Sequence, residues 1–323
     1  MTMKDTLDRA QQRSRKTSIA VATLKKYSED HSSDLASMIA FWAFFSIFPL
    51  LLVGLTVLGF VLSGGTRANV LDNVAKLFPV LDPKTVGGLT GSWWAIVVGG
   101  VSALWSGLAV VRTVQTAFNA TWEIPEKDRP GFLEKAWRSI VGLAAIGGGL
   151  VVATVVSSFV TGNQSAVDLA WWSRLAGYAI SFALDVGLFL LAFRILTSRR
   201  VTFREVRPGA LLAGGSFWIL QQVSSLIISR YLSGAQSTYG HFATVITMLW
   251  WFYLQAQITL LAAQLNVVLV ERLHPRSLFG GPDTVADRRA LEAYADVATY
   301  HEREEVDARF DGERREAATR DER

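Results

Sequence analysis

Asp185 is the residue whose placement most suggests chemistry. It sits inside the otherwise uncharged run from Leu175 to Phe193. A carboxylate at membrane depth costs a few kcal/mol if ionised, so it must face the protein interior, find a partner or hold its proton. Ser181, one turn earlier, can share a hydrogen bond with it. Two later apolar runs add neutral donors and acceptors. One carries Gln221, Gln222, Ser224, Ser225 and Ser229. In the other, at 100° per residue, Thr244, Gln255, Thr259 and Asn266 fall in one stripe, with Gln257 and Gln264 opposite. Such groups cannot face lipid without partners. Together they are candidates for the lining of a transport path; singly, each can serve as an interhelical hydrogen bond.

Motifs for other chemistries are absent. The chain has no GxxxxGK[ST] phosphate loop, no GxSxG nucleophile elbow and no Cys. Its four His (His31, His241, His274 and His301) are too dispersed for metal-ligand spacing. We expect no catalytic residue, no cofactor, no metal and no nucleic-acid partner.

These polar residues are set in an unusually apolar frame. Of 323 residues, 50% are hydrophobic and 19% charged. The charges are concentrated at the termini: residues 1–34 hold 12 and residues 272–323 hold 23, which leaves 25 for the 237 residues between. That middle segment cannot supply a soluble domain's surface. It contains six apolar runs long enough to cross a bilayer: Leu35–Leu62, Ser92–Val111, Ser139–Thr161, Leu175–Phe193, Pro208–Ser229 and Phe242–Val270. The predicted architecture is all-α, a polytopic membrane protein of six transmembrane helices. It divides into a basic N-terminal segment (1–34), a transmembrane domain (35–271) and a mixed-charge, partly disordered tail (272–323).

Lys and Arg set the orientation. The N-terminal segment and the second and fourth loops hold sixteen, while the alternate loops hold five. This places both termini in the cytoplasm. The net charge of +4 then needs only anionic lipid as its counterpart.

Three further features bear on packing. Pro49 removes an amide donor inside the first span and predicts a kink there. Ala95, Gly99, Ala103 and Gly107, each four residues apart, form a small-residue seam that lets helices approach closely, within one protomer or between copies of a homo-oligomer. Ala210 and Gly214 repeat the pattern. Outside the spans, Val70–Leu81 has the spacing of an amphipathic helix broken by GGLTG (87–91), and 123–137 reads as a Pro-punctuated elbow. In the tail, 285–310 can form a polar helix.

The segments SIFPLLL (46–52), LWSGLAVVRTVQTAFNATWEI (104–124) and YGHFATVITMLWWFYLQAQITLLAAQLNVVLVER (239–272) resemble the YihY/BrkB family of bacterial inner-membrane proteins, nearest its YhjD-type branch. The resemblance runs from about residue 20 to 275. It implies six spans with cytoplasmic termini. Some members are linked to serum resistance, and the YhjD-type branch to export of lipid A precursors. A transporter or flippase-like role for a lipid or amphiphile follows as one expectation, and a non-catalytic membrane scaffold as the other. The family's older ribonuclease label finds no support in the soluble segments, and the resemblance transfers no catalytic residue.

Overall fold

The computed structural model describes residue 8, residues 11–61, 93–162, 171–239, 242–278 and 284–299, and residues 304, 306 and 308. Several side chains inside the helices, Ala95, Ser225 and Thr244 among them, lie outside that description, as do the segments 70–81 and 87–91.

Among the described residues every regular element is helical: α1 (Arg15–Glu29), α2 (Ser32–Val61), α3 (Trp93–Thr121), α4 (Phe132–Gly162), α5 (Trp171–Leu196), α6 (Phe203–Tyr239), α7 (Phe242–Val270) and α8 (Val285–Val297), with a 3-10 turn at Glu126–Asp128. Each of α2 to α7 covers one of the six apolar runs, except that Leu62 and Ser92, at the ends of the first two, lie outside the described residues. The ends of α7 coincide with the run that predicts it, whereas α3 continues ten residues past its run, to Thr121. Polar residues propagate a helix as well as apolar ones where tertiary contacts hold them. Among the described residues four stretches are long and apolar enough to cross a membrane: Ser32–Gly54, Ile96–Thr121, Leu175–Leu196 and Val245–Val270. Pro49 lies within α2, which runs on to Val61.

Consecutive helices from α2 to α7 pack side by side, and α7 packs back on α2 and closes the ring. α7 also meets α1 and α3, which makes it the hub. The packing inverts the pattern of a water-soluble core. Buried positions are rich in alanine, including Ala36, Ala117, Ala210, Ala213, Ala256, Ala262 and Ala263. Large apolar side chains point outward, including Phe41, Leu50, Val101, Trp105 and Ile219. Water would not tolerate so much exposed hydrocarbon, whereas lipid accepts it and small residues let backbones close in.

Two glycines mark where that approach is tightest. A Cβ on Gly209 would overlap the Ala262 carbonyl oxygen and the Asn266 amide across the α6–α7 contact. One on Gly214 would lie 2.7 Å from Val186 Cα on α5. The α3 seam is spent within the chain: Gly99 faces Leu52 and Val53 of α2, and Gly107 faces Leu143 of α4.

Within the tail, where a polar helix over 285–310 is expected, α8 forms at Val285–Val297. Thr284 caps α8 by accepting the Asp287 N–H at 3.0 Å, and Ala286, Asp287 and Ala290 are buried.

Gly209→Ala should lower the unfolding temperature in detergent, because the added methyl cannot be housed without shifting backbone, a cost of about 1–3 kcal/mol. Gly147→Ala, where a Cβ meets nothing within 4 Å, should leave it unchanged. Equal melting of the two variants would contradict the close α6–α7 approach.

Candidate functional site

Asp185 lies where α5 and α6 face each other. It is 5% exposed, and Gln221 Nε2 stands 3.3 and 3.5 Å from its two carboxylate oxygens. The pair is sandwiched by aromatic contacts between the same helices: Trp218 packs edge-on against Tyr178 and Phe182, and Phe217 against Phe189. Spacing explains the arrangement, since 178, 182, 185 and 189 form one face of α5 while 218 and 221 form one face of α6. Among the described residues the buried Trp218 indole N–H has no acceptor. Among the described residues no Lys or Arg makes an ion pair with Asp185.

The remaining polar residues of the predicted path do not gather around this pair. Asn266 Oδ1 accepts the Gly209 N–H at 2.6 Å, about 18 Å along α6 from Gln221 at 1.5 Å per residue. Pro208 lies inside α6, which continues through it, and Asn266 meets the next residue's amide. Its own Nδ2 has no partner. Thr259 donates to the Gln255 carbonyl within α7 at 2.8 Å. Gln264 reaches out of the bundle to Asp30 and Ser32, at 2.6 and 3.0 Å. Gln222 is exposed, and Ser181 lies one turn from Asp185. The stripe on α7 is therefore a set of separate contacts. A shallow, almost wholly apolar groove of about 400 Å³ opens sideways between α2 and α7, floored by Ala40, Phe41, Leu249, Trp250 and Tyr253.

The densest polar constellation is at the end of the bundle where the terminal segments meet. Lys26 is 0% exposed. Its ammonium pairs with Asp30 at 3.1 Å and with Glu123, and lies 5.2 Å from the centre of the Tyr294 ring. The Tyr294 hydroxyl donates to Asp30 at 2.6 Å. Glu123 follows α3 with a φ of 52°, the left-handed position that closes the helix: its N–H reaches the Ala120 carbonyl and the Ile124 N–H reaches Asn119. Burial raises the Glu123 carboxyl above its ordinary value, and the charge and hydrogen bond of Lys26 offset this only in part, because one ammonium serves two carboxylates. Burial and the Asp30 charge push the Tyr294 phenol upward, so it stays a neutral donor.

A second group adjoins the first. Arg276, 2% exposed, grips Glu29 with both terminal nitrogens at 2.6 and 3.0 Å and donates from Nε to Asp287 at 2.9 Å. Asp287 also accepts from Lys25, the Ser277 N–H and Thr284. Burial alone would raise its carboxyl, but these four donors overcome burial and hold it at about 2. Neither group is visible as a motif: Lys26 lies 97 residues from Glu123 and Gln264 lies 234 from Asp30.

A family model described as "Virulence factor BrkB" matches residues 23–284. A UPF0761 membrane protein of Pseudoalteromonas translucida is 26% identical over 256 residues, covering 75% of this chain and 82% of that protein. The inner membrane protein YhjD of Escherichia coli is 23% identical over 268 residues, 75% of this chain and 78% of its own. The putative ribonuclease-like protein YfkH of Bacillus subtilis is 21% identical over 263 residues, 76% of this chain and 93% of its own. No solved structure matches.

Lys26→Met would strand two buried carboxylates and should cost about 3–5 kcal/mol, read as lost folded yield or a large drop in unfolding temperature. Glu123→Gln keeps an acceptor for Lys26 and should cost less. Asp287 has the opposite pH sign to Glu123. Its ordinary value of 3.8 falls to about 2 in the fold, so its stabilisation is present above about pH 4 and is lost as pH falls toward 2. Protease sensitivity of the tail should rise over that window, and Asp287→Asn should show raised sensitivity already at neutral pH.

Proposed function

The chain belongs to the virulence factor BrkB family, and on that premise we propose that it moves a lipid or other amphiphile across the bacterial inner membrane during envelope biogenesis. It is an integral membrane protein of the BrkB/UPF0761 type. In our reading it crosses the membrane six times through α2 to α7, with both termini in the cytoplasm. The sixteen-to-five split of Lys and Arg between alternate loops supports this orientation. We assign it no covalent chemistry; its direct partners are membrane lipids.

The observation that carries the transport reading is the buried Asp185 carboxylate, met by the Gln221 amide. An intramembrane carboxylate that meets a neutral amide in place of a cation is expensive to keep. A purely structural contact at that depth is met more cheaply by Ser, Thr or Gln. Asp185 can instead exchange a proton, or meet a polar headgroup, when α5 and α6 part. The apolar groove between α2 and α7 is suited to the acyl chain of such a cargo.

Reconstituted protein should accelerate flipping of a fluorescent phospholipid, measured by dithionite quenching. Asp185→Ala should slow it by about tenfold or more, roughly 1.4 kcal/mol of barrier, while folded yield holds. Asp185→Asn, which keeps a partner for Gln221, should retain part of the rate if hydrogen bonding matters and none if proton exchange does. Wild-type vesicles no faster than empty ones, or an unchanged Asp185→Ala rate, would sink the reading. Because the chain has no Cys, single replacements Lys127→Cys and Lys84→Cys test the topology. Impermeant thiol reagent on intact spheroplasts should label the second only.

A further inference from the structure

A small polar pocket of about 110 Å³ lies between the end of α3, the 3-10 turn, the start of α4 and the α5–α6 loop. Its volume is close to that of four liquid waters at about 30 Å³ each. Donors dominate its lining. Arg129, Lys135 and Arg138 contribute three cations against one carboxylate, Glu126, which Arg129 already holds in an ion pair. Arg138 is fixed by donating to the Thr197 carbonyl at 2.6 Å, where it caps the end of α5. Among the described residues the Lys135 ammonium has no hydrogen bond or ion pair.

Two side-chain amides complete the lining. The Ser198 N–H donates to Asn119 Oδ1 at 2.9 Å, which fixes that amide and leaves its NH2 free of this bond. Gln115 is 4% exposed; its amide lies 3.3 Å from the Ser139 hydroxyl, whose proton goes to the Lys135 carbonyl at 2.7 Å, and among the described residues its buried Nε2 has no partner. A buried amide N–H without an acceptor is costly, so an oxygen from outside the protein belongs beside it. A cation would find one neutralised carboxylate here, and an apolar group would satisfy neither the Lys135 ammonium nor the Gln115 amide. An oxyanion satisfies them together. Pro130, also in the lining, lies two residues before α4, whose positive end adds to the field.

We propose that this pocket is a binding site for a phosphoryl oxyanion. The group can be the phosphate of a lipid headgroup or free inorganic phosphate. Phe132, Leu133 and Trp137, exposed by 80%, 82% and 66% on the first turns of α4, form an apolar shelf beside it of the kind that rests in the headgroup layer. The site stands on its own geometry and does not depend on transport.

The full chain in detergent tests this with two probes, inorganic phosphate and dioctanoyl phosphatidic acid, by calorimetric titration against dioctanoyl phosphatidylcholine as a control. Lys135→Gln and Gln115→Met should each weaken binding by about tenfold or more, the size of a lost hydrogen bond to a charged group. Lys127→Gln, an exposed charge outside the pocket, should not. Lys135 is exposed, so its variant should fold even if Gln115→Met does not. Binding of both probes with these losses supports the site and assigns it to phosphate itself. Binding of phosphatidic acid alone, with the same losses, supports it as a headgroup site. No binding of either probe up to about 10 mM, where affinity falls below roughly 3 kcal/mol, overturns it. So does binding that ignores both substitutions.

Discussion

An ammonium removed from water has few ways to remain charged, and the site around Lys26 uses most of them. Asp30 comes from the junction of α1 and α2, Glu123 from the end of α3, and the ring of Tyr294 from α8 in the tail. Gln264 of α7 ties the same Asp30 to the hub helix. Sequence segments that have no other reason to meet are brought together by one charge. The hydrophobic effect cannot supply that specificity here: with lipid around the bundle, apolar side chains gain little by turning inward. Position must come from close backbone contact and from polar groups with only one good arrangement.

Those two devices divide the molecule. In the middle of the bundle, alanine and glycine set the helix spacing, as at Gly214 against Val186 and Gly99 against α2. At the end where the terminal segments meet, charge takes over. Arg276 and Asp287 hold α8 against α1, and Asn266 holds α7 against the Gly209 amide. The Asp185–Gln221 pair belongs to neither regime. It is polar, it lies in the closely packed middle, and it is far along α6 from the anchored end.

The long apolar helices are legible in the sequence because a bilayer imposes a length and a composition that one helix must meet alone. The Asp185 position was legible for the same reason. Partner identity was not. Periodicity assigns Thr244, Gln255, Thr259 and Asn266 to one face of α7, yet a face says nothing about which helix stands opposite. Asn266 met a backbone amide, and Gln264, on the other stripe, met an aspartate outside the bundle. Lys25, Lys26 and Arg276 look in sequence like members of a positive flank. Their carboxylate partners include residues 97 to 262 positions away, a separation that carries no local signal. Composition likewise marks the tail as solvated, because the balance of charge is the same whether its charges face water or each other.

The backbone at Glu123 shows which requirement won where two conflicted. A helix closing in the left-handed conformation favours glycine, and a residue with a Cβ gives up about 1–2 kcal/mol there. Breaking a buried ion pair costs about 3–5 kcal/mol. With α3 ending beneath α1, the position closing the helix is also the one from which a carboxylate reaches Lys26. Glycine would relax the turn and leave the ammonium with Asp30 alone. Losing the ion pair is the costlier of the two, and the sequence carries glutamate. Arg272 closes α7 with a φ of 54°, and the Leu273 N–H reaches the Val268 carbonyl as Ile124 reaches Asn119, but its side chain is exposed, and nothing in the structure explains why glycine is not used there. The contrast locates the constraint in the Glu123 carboxylate, since the turn geometry is common to both.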